Sequence, residues 1–382
     1  MRTIYFDYNA TTPLDPNIRE AMQPFQSEIW GNPSSVHHVG RRARAALDQA
    51  RERAALTLAC KPSEVIFTSG GTESVNLGIL GTARHLKYKG NHIITSAVEH
   101  HAVLHACQYL TAREGFEVTY LPVTREGLVT VDSVKGALQP NTILVSIMAA
   151  NNEIGTVQPV SQIGALCRER QVCFHTDAVQ WFGKQPFEDI RQFDADLVSF
   201  CAHKIHGPKG AGLLFARSPL HPDPILFGGG HENERRAGTE NLAAIIGLVE
   251  ALERFVPRPV FDSHQIAPLI HRLRSTLEAT AGVQVLGSRS FCLANTLSFV
   301  VEGADSSALL AGLDLEGICA SAGSACSAGS LEGSHVVVAL GLGEPLANSL
   351  VRLSLGRDST MEEIEIAAGV LPKIIRRAQL AK

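Results

Sequence analysis

The chain has 382 residues, 45% of them hydrophobic and 19% charged, enough for two to three domains of roughly 150 residues each with a sizeable core; such a composition argues against disorder. Lys plus Arg number 34 and Asp plus Glu 38, a formal net charge of −4, so neither a nucleic acid nor an anionic membrane surface is expected as a partner. The eight cysteines form no C-x-x-C pair, no run approaches the roughly 18 apolar residues of a membrane span, and the start MRTIYFDYNATTP carries no signal-like apolar stretch; a soluble, reduced, cytoplasmic protein is expected.

In chain order, residues 41–59 are rich in Ala and Arg with apolar residues at helical spacing, and predict an amphipathic helix. Short β-branched runs then alternate with longer helix-like segments: 64–68, 92–96, 117–121, 142–147, 172–175, 196–200 and 212–215 read as strands. Strands separated by helical segments imply crossover connections and a largely parallel sheet. The near-continuous apolar run 142–150 fits a strand covered on both faces. Phe255-Val256-Pro257-Arg258-Pro259 reads as a domain junction; beyond it, 264–281 and 361–380 predict helices and 295–301 a strand. The expected architecture is α/β, with a large mostly parallel-sheet domain followed by a smaller α+β domain.

Several predicted strands end in polar residues. Ala202-His203-Lys204 follows the strand ending at Phe200; alone, Lys204 reads as a surface lysine in a turn, but a lysine desolvated beside other cations makes a usable amine nucleophile. Thr68-Ser69-Gly70-Gly71-Thr72-Glu73-Ser74 runs from strand through glycine turn to helix, an arrangement that gathers N–H groups and hydroxyls on an anion; its plain reading is a turn with Thr72 as N-cap. His175-Thr176-Asp177-Ala178-Val179-Gln180 places a carboxylate at a buried strand end, where it needs a cationic or donor partner unless it is simply a cap. Glu99-His100 supplies an imidazole able to stack on a ring and move protons, and Asn151-Asn152-Glu153-Ile154-Gly155 supplies amides. The carboxyl edge of an open α/β sheet is where ligands sit. An anion cradle, carboxylate, imidazole and lysine together specify pyridoxal phosphate better than a dinucleotide. Near the C-terminus, nine small residues at 321–330 surround Cys326; with no bulky neighbour to pack it into a core, either a solvent-accessible thiol or an incidental Cys in a Gly/Ser linker fits. Arg352 lies in a strand-like run suited to bidentate carboxylate binding or to a surface salt bridge.

These residues carry a resemblance. Asp7-Tyr8-Asn9-Ala10-Thr11-Thr12-Pro13, Gly31-Asn32-Pro33-Ser34-Ser35, Gly71-Thr72-Glu73-Ser74, Asn151-Asn152-Glu153-Ile154-Gly155, His203-Lys204, Arg236-Ala237-Gly238-Thr239, Ser324-Ala325-Cys326 and Arg352-Leu353-Ser354-Leu355-Gly356-Arg357 resemble the cysteine desulfurases of the iron–sulfur cluster assembly type, class V aminotransferases within the fold-type I pyridoxal-phosphate (PLP) enzymes. The resemblance spans nearly the whole chain and implies a large PLP-binding domain over 15–257, with 1–14 and 258–382 forming the smaller domain that carries the Cys326 loop. It implies that Lys204 bonds the cofactor, His100 stacks on its ring, Asp177 binds its nitrogen, and Asn152 and Gln180 contact the ring or its phenolic oxygen. Gly71, Thr72 and His203 would hold the phosphate, with Thr239 reaching it from the other subunit of a homodimer. Arg352, helped by Asn32, would bind the carboxylate of L-cysteine, with Asn152 also at the substrate. Cys326 would accept the sulfur as a persulfide, leaving L-alanine, pass it to an acceptor or scaffold protein, and transiently ligate a [2Fe–2S] cluster. Two departures stand out: Cys201 occupies a usual Ser position at the phosphate site, where a thiol is the weaker hydrogen-bond partner, and Ala237 replaces a common Ser.

Other readings of the residues are a selenocysteine lyase or another class V aminotransferase, which has no use for the Cys326 loop, and a non-catalytic interaction protein of the same fold, hinted at by Cys201. A metal hydrolase on His37-His38, His100-His101 and His203 lacks ligand spacing.

Overall fold

The computed structural model describes residues 3–323 and 333–380. Its strands are β1 (Ile4–Tyr5), β2 (Val65–Thr68), β3 (His92–Ser96), β4 (Glu117–Leu121), β5 (Thr142–Ser146), β6 (Cys173–Asp177), β7 (Leu197–Cys201), β8 (Gly212–Ala216), β9 (Val283–Leu286), β10 (Thr296–Val301), β11 (Ile318–Cys319) and β12 (Val351–Ser354). Seven form one sheet in the order β2-β8-β7-β6-β5-β3-β4. β8 runs antiparallel to β2 and β7, and the remaining pairs are parallel. Reversing β8 alone leaves β2, β3, β5, β6 and β7 pointing the same way, so their carboxyl ends share one edge. Chain order reverses between β3 and β5, the switch point that opens a crevice at that edge.

β3 and β5 are buried along their whole length, as parallel strands covered on both faces must be, and so are β7 and the antiparallel β8. The apolar run after β5 continues past the formal strand end: Ile147 N–H donates to His175 O at 3.1 Å and Ala149 N–H to Asp177 O at 2.8 Å. The predicted helix near 41–59 spans His38–Leu58 and buries Gly40, Ala43, Leu47, Ala50, Ala54, Ala55 and Leu58. That small-residue stripe packs against the helix Leu242–Phe255. Helices Ser263–Glu278 and Met361–Leu380 match the other two helical expectations and pack together.

A second sheet, β12-β10-β9, is antiparallel. β1 pairs in parallel with β11, and Asp7 bridges to Ser354. The chain's first residues therefore run beside its last strands, then cross to the turn after β7, where Thr12 N–H donates to His203 O and Asp15 N–H to His206 O. Among the described residues, no helix is long and apolar enough to cross a membrane, the cysteines are unpaired, and no cluster of three or more His, Cys, Asp or Glu could hold a metal ion.

Candidate active site

The crevice at the carboxyl edge is a partly open cavity of about 190 Å³. The predicted residues Gly71, Thr72, His100, Asn152, Asp177, Gln180, Cys201, His203, Lys204 and Arg352 all line it, together with Asn9, Ala10, Val75, Ala102, Met148, Ala150 and Val179.

Each side chain is brought there by a strand end. β2 runs into the Gly71–Asn76 helix, which continues through the π-helical Leu77–Gly81 into Thr82–Leu86. Helical bonding begins with Ser74 N–H to Gly70 O, leaving the N–H groups of the preceding first turn without intrahelical acceptors. Thr72 stands inside that turn, with Gly70 as the cap, so the plain reading of Thr72 as N-cap does not hold. A Cβ on Gly71 would lie 2.9 Å from Val179 Cγ2, so a larger residue there would have to push the Val179 side chain aside. Glu73 bonds to Ser69 and pairs with Arg236 at 2.7 Å, which ties the 236–239 segment to this turn.

β6 ends on Asp177, 6% exposed. Its Oδ1 accepts from Val179 N–H at 3.0 Å, and it makes no ion pair among the described residues. Burial raises its pKa to about 6, against the opposing pull of the Val179 bond and the Lys204 charge. A buried carboxylate short of a cation is what a protonated ring nitrogen would complete. β7 ends on Cys201, whose thiol is pushed up to about 11 by burial and so stays protonated. In the following turn, Lys204 Nζ donates to the carbonyls of Asn9 and Ala10, both at 2.7 Å.

His100 caps the helix His101–Glu114, its Nδ1 accepting from Ala102 N–H at 3.1 Å. The proton of the neutral ring therefore sits on Nε2. Burial, then the Lys204 charge, lowers its pKa to about 4. His203, whose Nδ1 lies 3.2 Å from Thr11 Oγ1, is likewise lowered to about 4, chiefly by burial. Asn152 and Asn151 part company. Asn151 is structural, bonded to Val98 O, Glu153 N–H and Ile154 N–H, whereas Asn152 faces the cavity.

Arg352, 1% exposed on β12, donates from Nη2 to Asp7 Oδ1 at 2.7 Å and from Nη1 to Asn152 O at 2.8 Å. Its Nε is buried without an acceptor. This arginine is not the surface ion pair of the plain reading: it is a buried cation with unspent donor capacity at the cavity wall.

Two expected residues are not brought to the cavity by this chain. Thr239 is exposed and does not line it, and Asn32 is exposed with its Oδ1 accepting from Ser34 N–H. Cys326 lies outside the described residues. Missed by sequence reasoning as site residues were Asn9, whose carbonyl meets Lys204 and Gln180, and Asp7. Both stood in the motif Asp7–Pro13, but nothing local marked them as facing residues hundreds of positions away.

Glu99, fully buried behind His100, has Oε1 accepting from Ser96 Oγ and Met148 N–H, while Oε2 has no partner. Burial, then the Asp177 charge, raises its pKa to about 8. Between about pH 5 and pH 8 the unfolded chain has lost this proton and the folded one keeps it, so stability falls as pH rises, by up to about 1.4 kcal/mol per pH unit. Glu99→Gln is expected to flatten that fall. Urea unfolding of the cofactor-free protein at pH 6 and pH 8 measures it, and equal slopes in both proteins would rule it out.

A sheet edge that presents an amine, a cation-deficient carboxylate, a neutral imidazole and a buried arginine defines an α/β enzyme built around a small organic cofactor. The family model for aminotransferase class-V matches residues 4–366. Cysteine desulfurase IscS of Dictyoglomus turgidum is 45% identical over 98% of this chain and 95% of its own length. Putative cysteine desulfurase IscS 1 of Bacillus subtilis is 43% identical, over 99% of this chain and all of its own. A solved NifS-like protein superposes with a TM-score of 0.90 at 35% identity, over 98% of this chain and 100% of its own. A structure described as SspA in complex with cysteine gives 0.81 at 37%, over 94% and 100%. The chain belongs to the aminotransferase class-V family and, within it, to the cysteine desulfurases.

Proposed function

We propose that this enzyme takes the sulfur of L-cysteine onto Cys326, releases L-alanine, and hands the sulfur to an acceptor protein for iron–sulfur cluster assembly or other thiolation. The cavity assembled from five strand ends carries this reading. Pyridoxal 5′-phosphate, when bound, supplies the electron sink that allows bonds at the substrate's Cα and Cβ to break heterolytically. Lys204 is the residue to bond it. Asp177 would pair with its ring nitrogen, His100 would stack on its ring, Asn152 and Gln180 would contact the ring or its phenolic oxygen, and Gly71, Thr72, Cys201 and His203 would hold its phosphate with a Thr239 supplied by a second subunit. Arg352, with Asn32, holds the substrate carboxylate.

The Lys204 amine takes the proton from the substrate Cα and returns one as alanine forms. The neutral His100 is placed to move protons at the same atoms. The Cys326 thiolate attacks the substrate sulfur, so an S–S bond forms as the Cβ–S bond breaks. Its electron pair stays with carbon, which is reduced, while Cys326 is oxidised to the persulfide. Cysteine plus thiol gives alanine plus persulfide, so no outside oxidant is needed, and thiol exchange passes the sulfur on. At the acceptor interface Cys326 also ligates a [2Fe–2S] cluster transiently.

The same reading divides the chain into a cofactor-binding domain at 15–257 and a smaller domain of 1–14 with 258–382, and places it in the cytoplasm as a homodimer. It is tested by following alanine and persulfide formation from L-cysteine in purified protein; turnover of selenocysteine alone, or of amine transfer to an α-keto acid, would replace it.

Cys201 yields a further expectation. A serine hydroxyl donates to phosphate far better than a thiol, and a hydrogen bond to a charged group contributes about 1.5–3 kcal/mol. Cys201→Ser is expected to tighten cofactor binding about tenfold, read by titrating cofactor into the stripped protein. Unchanged or weaker binding would remove Cys201 from the phosphate site.

A further inference from the structure

Arg352, to which the proposed function assigns the substrate carboxylate, is not a bare charge. Its Nη2 donates to Asp7 Oδ1 at 2.7 Å and its Nη1 to the Asn152 carbonyl at 2.8 Å. Nε and one hydrogen on each Nη remain, and Nε is buried without an acceptor among the described residues. The Arg352 side chain is 2% exposed and that of Asp7 18%. Asp7 is held through its main chain as well as by the ion pair. It bridges to Ser354 on β12, and its carbonyl accepts from Tyr5 Oη at 3.1 Å and from Ala10 N–H at 3.0 Å.

We propose that Asp7 tunes the affinity of Arg352 for carboxylates: it neutralises the arginine in the empty site, and so weakens the hold on substrate and product and lets alanine leave. Arginine cannot lose its proton in a protein. Without a partner it would be a buried, uncompensated cation, costly to the folded state and strongly attractive to an anion. Asp7 removes that cost. Its carboxylate also stands on the guanidinium that a substrate carboxylate must join, and two anions on one cation repel each other. Nothing else supplies the charge: among the described residues Arg352 makes no other ion pair. Tyr5 and Cys319, which feel Asp7, are both raised chiefly by burial, Tyr5 to about 12, and stay protonated. Lys184, which feels Arg352, is held well below the usual lysine value, chiefly by burial. Loss of the Asp7 charge does not set the arginine loose, because the Asn152 carbonyl keeps Nη1 and β12 holds the buried side chain. The charge is what changes, so the direction follows: a neutral residue at position 7 tightens carboxylate binding.

This inference rests on the reading of Arg352 as the partner of the substrate carboxylate, and the two fail separately. That reading fails if Arg352→Gln binds L-alanine as tightly as the wild-type holoenzyme does. The inference is tested on the full-length holoenzyme at low ionic strength, by titrating L-alanine and following the absorbance of the bound cofactor. L-alaninol, which has the same amine and no carboxylate, is titrated in parallel. Asp7→Asn keeps an oxygen for Nη2 and removes the charge. It is expected to bind L-alanine about tenfold more tightly, with L-alaninol within a factor of about two of the wild type. Its melting temperature is expected to fall without ligand and to rise more steeply with L-alanine than that of the wild type. Asp7→Ser, which leaves room for water beside the guanidinium and carries the same expectation, replaces it if Asp7→Asn does not melt cooperatively. L-alanine bound no more tightly by a folded uncharged variant, or an equal gain for L-alaninol, overturns the proposal; a merely structural Asp7 would lower the melting temperature and shift both ligands alike.

Discussion

Lys204→Ala is expected to abolish turnover of L-cysteine, a loss on the order of 10,000-fold or more. In the proposed function one nitrogen, held after β7 by the carbonyls of Asn9 and Ala10 at 2.7 Å, both bonds the cofactor and moves the proton at the substrate Cα. Alanine removes both roles, and no other described amine lines the cavity: Lys184 stands behind it, occupied by Asn9 and Gln180. Cofactor binding is expected to weaken without vanishing, because Asp177, His100 and His203 remain. Mass spectrometry after hydride reduction gives the direct check, with the cofactor on the Lys204 peptide of the wild-type protein and on no peptide of the variant. A variant that keeps more than about a tenth of wild-type kcat would require another base and another attachment point.

Cys326→Ser should reduce alanine formation and persulfide transfer to background, about 1,000-fold or more, because a hydroxyl neither ionises near neutral pH nor forms the S–S bond that carries sulfur away. The cofactor should bind the variant as it binds the wild type, since every described cavity-lining residue is retained. Separating these two outcomes distinguishes loss of the sulfur acceptor from collapse of the site. A serine variant that still delivers sulfur to an acceptor protein at the wild-type rate would transfer the role to one of the other cysteines. Three of those seven are poor candidates: Cys107, Cys167 and Cys201 are buried, and burial raises the thiol pKa of each to about 11 or 12.

Much of the site was legible because each component is announced locally. A buried β-branched run followed by a polar residue and a turn marks a strand end, and β2, β3, β6 and β7 each carry such a signal. Periodicity placed the helices near 41–59 and 361–380 for the same reason: burial of one stripe is written into residues three and four apart. Where a local signal allowed two readings, packing decided. Thr72 and Asp177 both suit a helix cap, but neighbouring turns place Thr72 within the first helical turn and leave Asp177 buried with no ion pair among the described residues. Asn151 and Asn152 are identical in type and adjacent, yet one closes a turn and the other lines the cavity.

By itself the sequence determined the alternation of strands and helices, the chemistry available at each strand end, and membership of a family whose motifs recur along the chain, since these depend on residues close together. Tertiary structure alone decided that Asp7 would hold Arg352 across 345 positions, that Asn9 would join Lys204 to the buried Lys184, and that neither Asn32 nor Thr239 would reach the cavity from within the same chain. Such contacts leave no trace in local spacing: hydrophobic burial folds distant segments together, and only then do the hydrogen bonds at their meeting point exist.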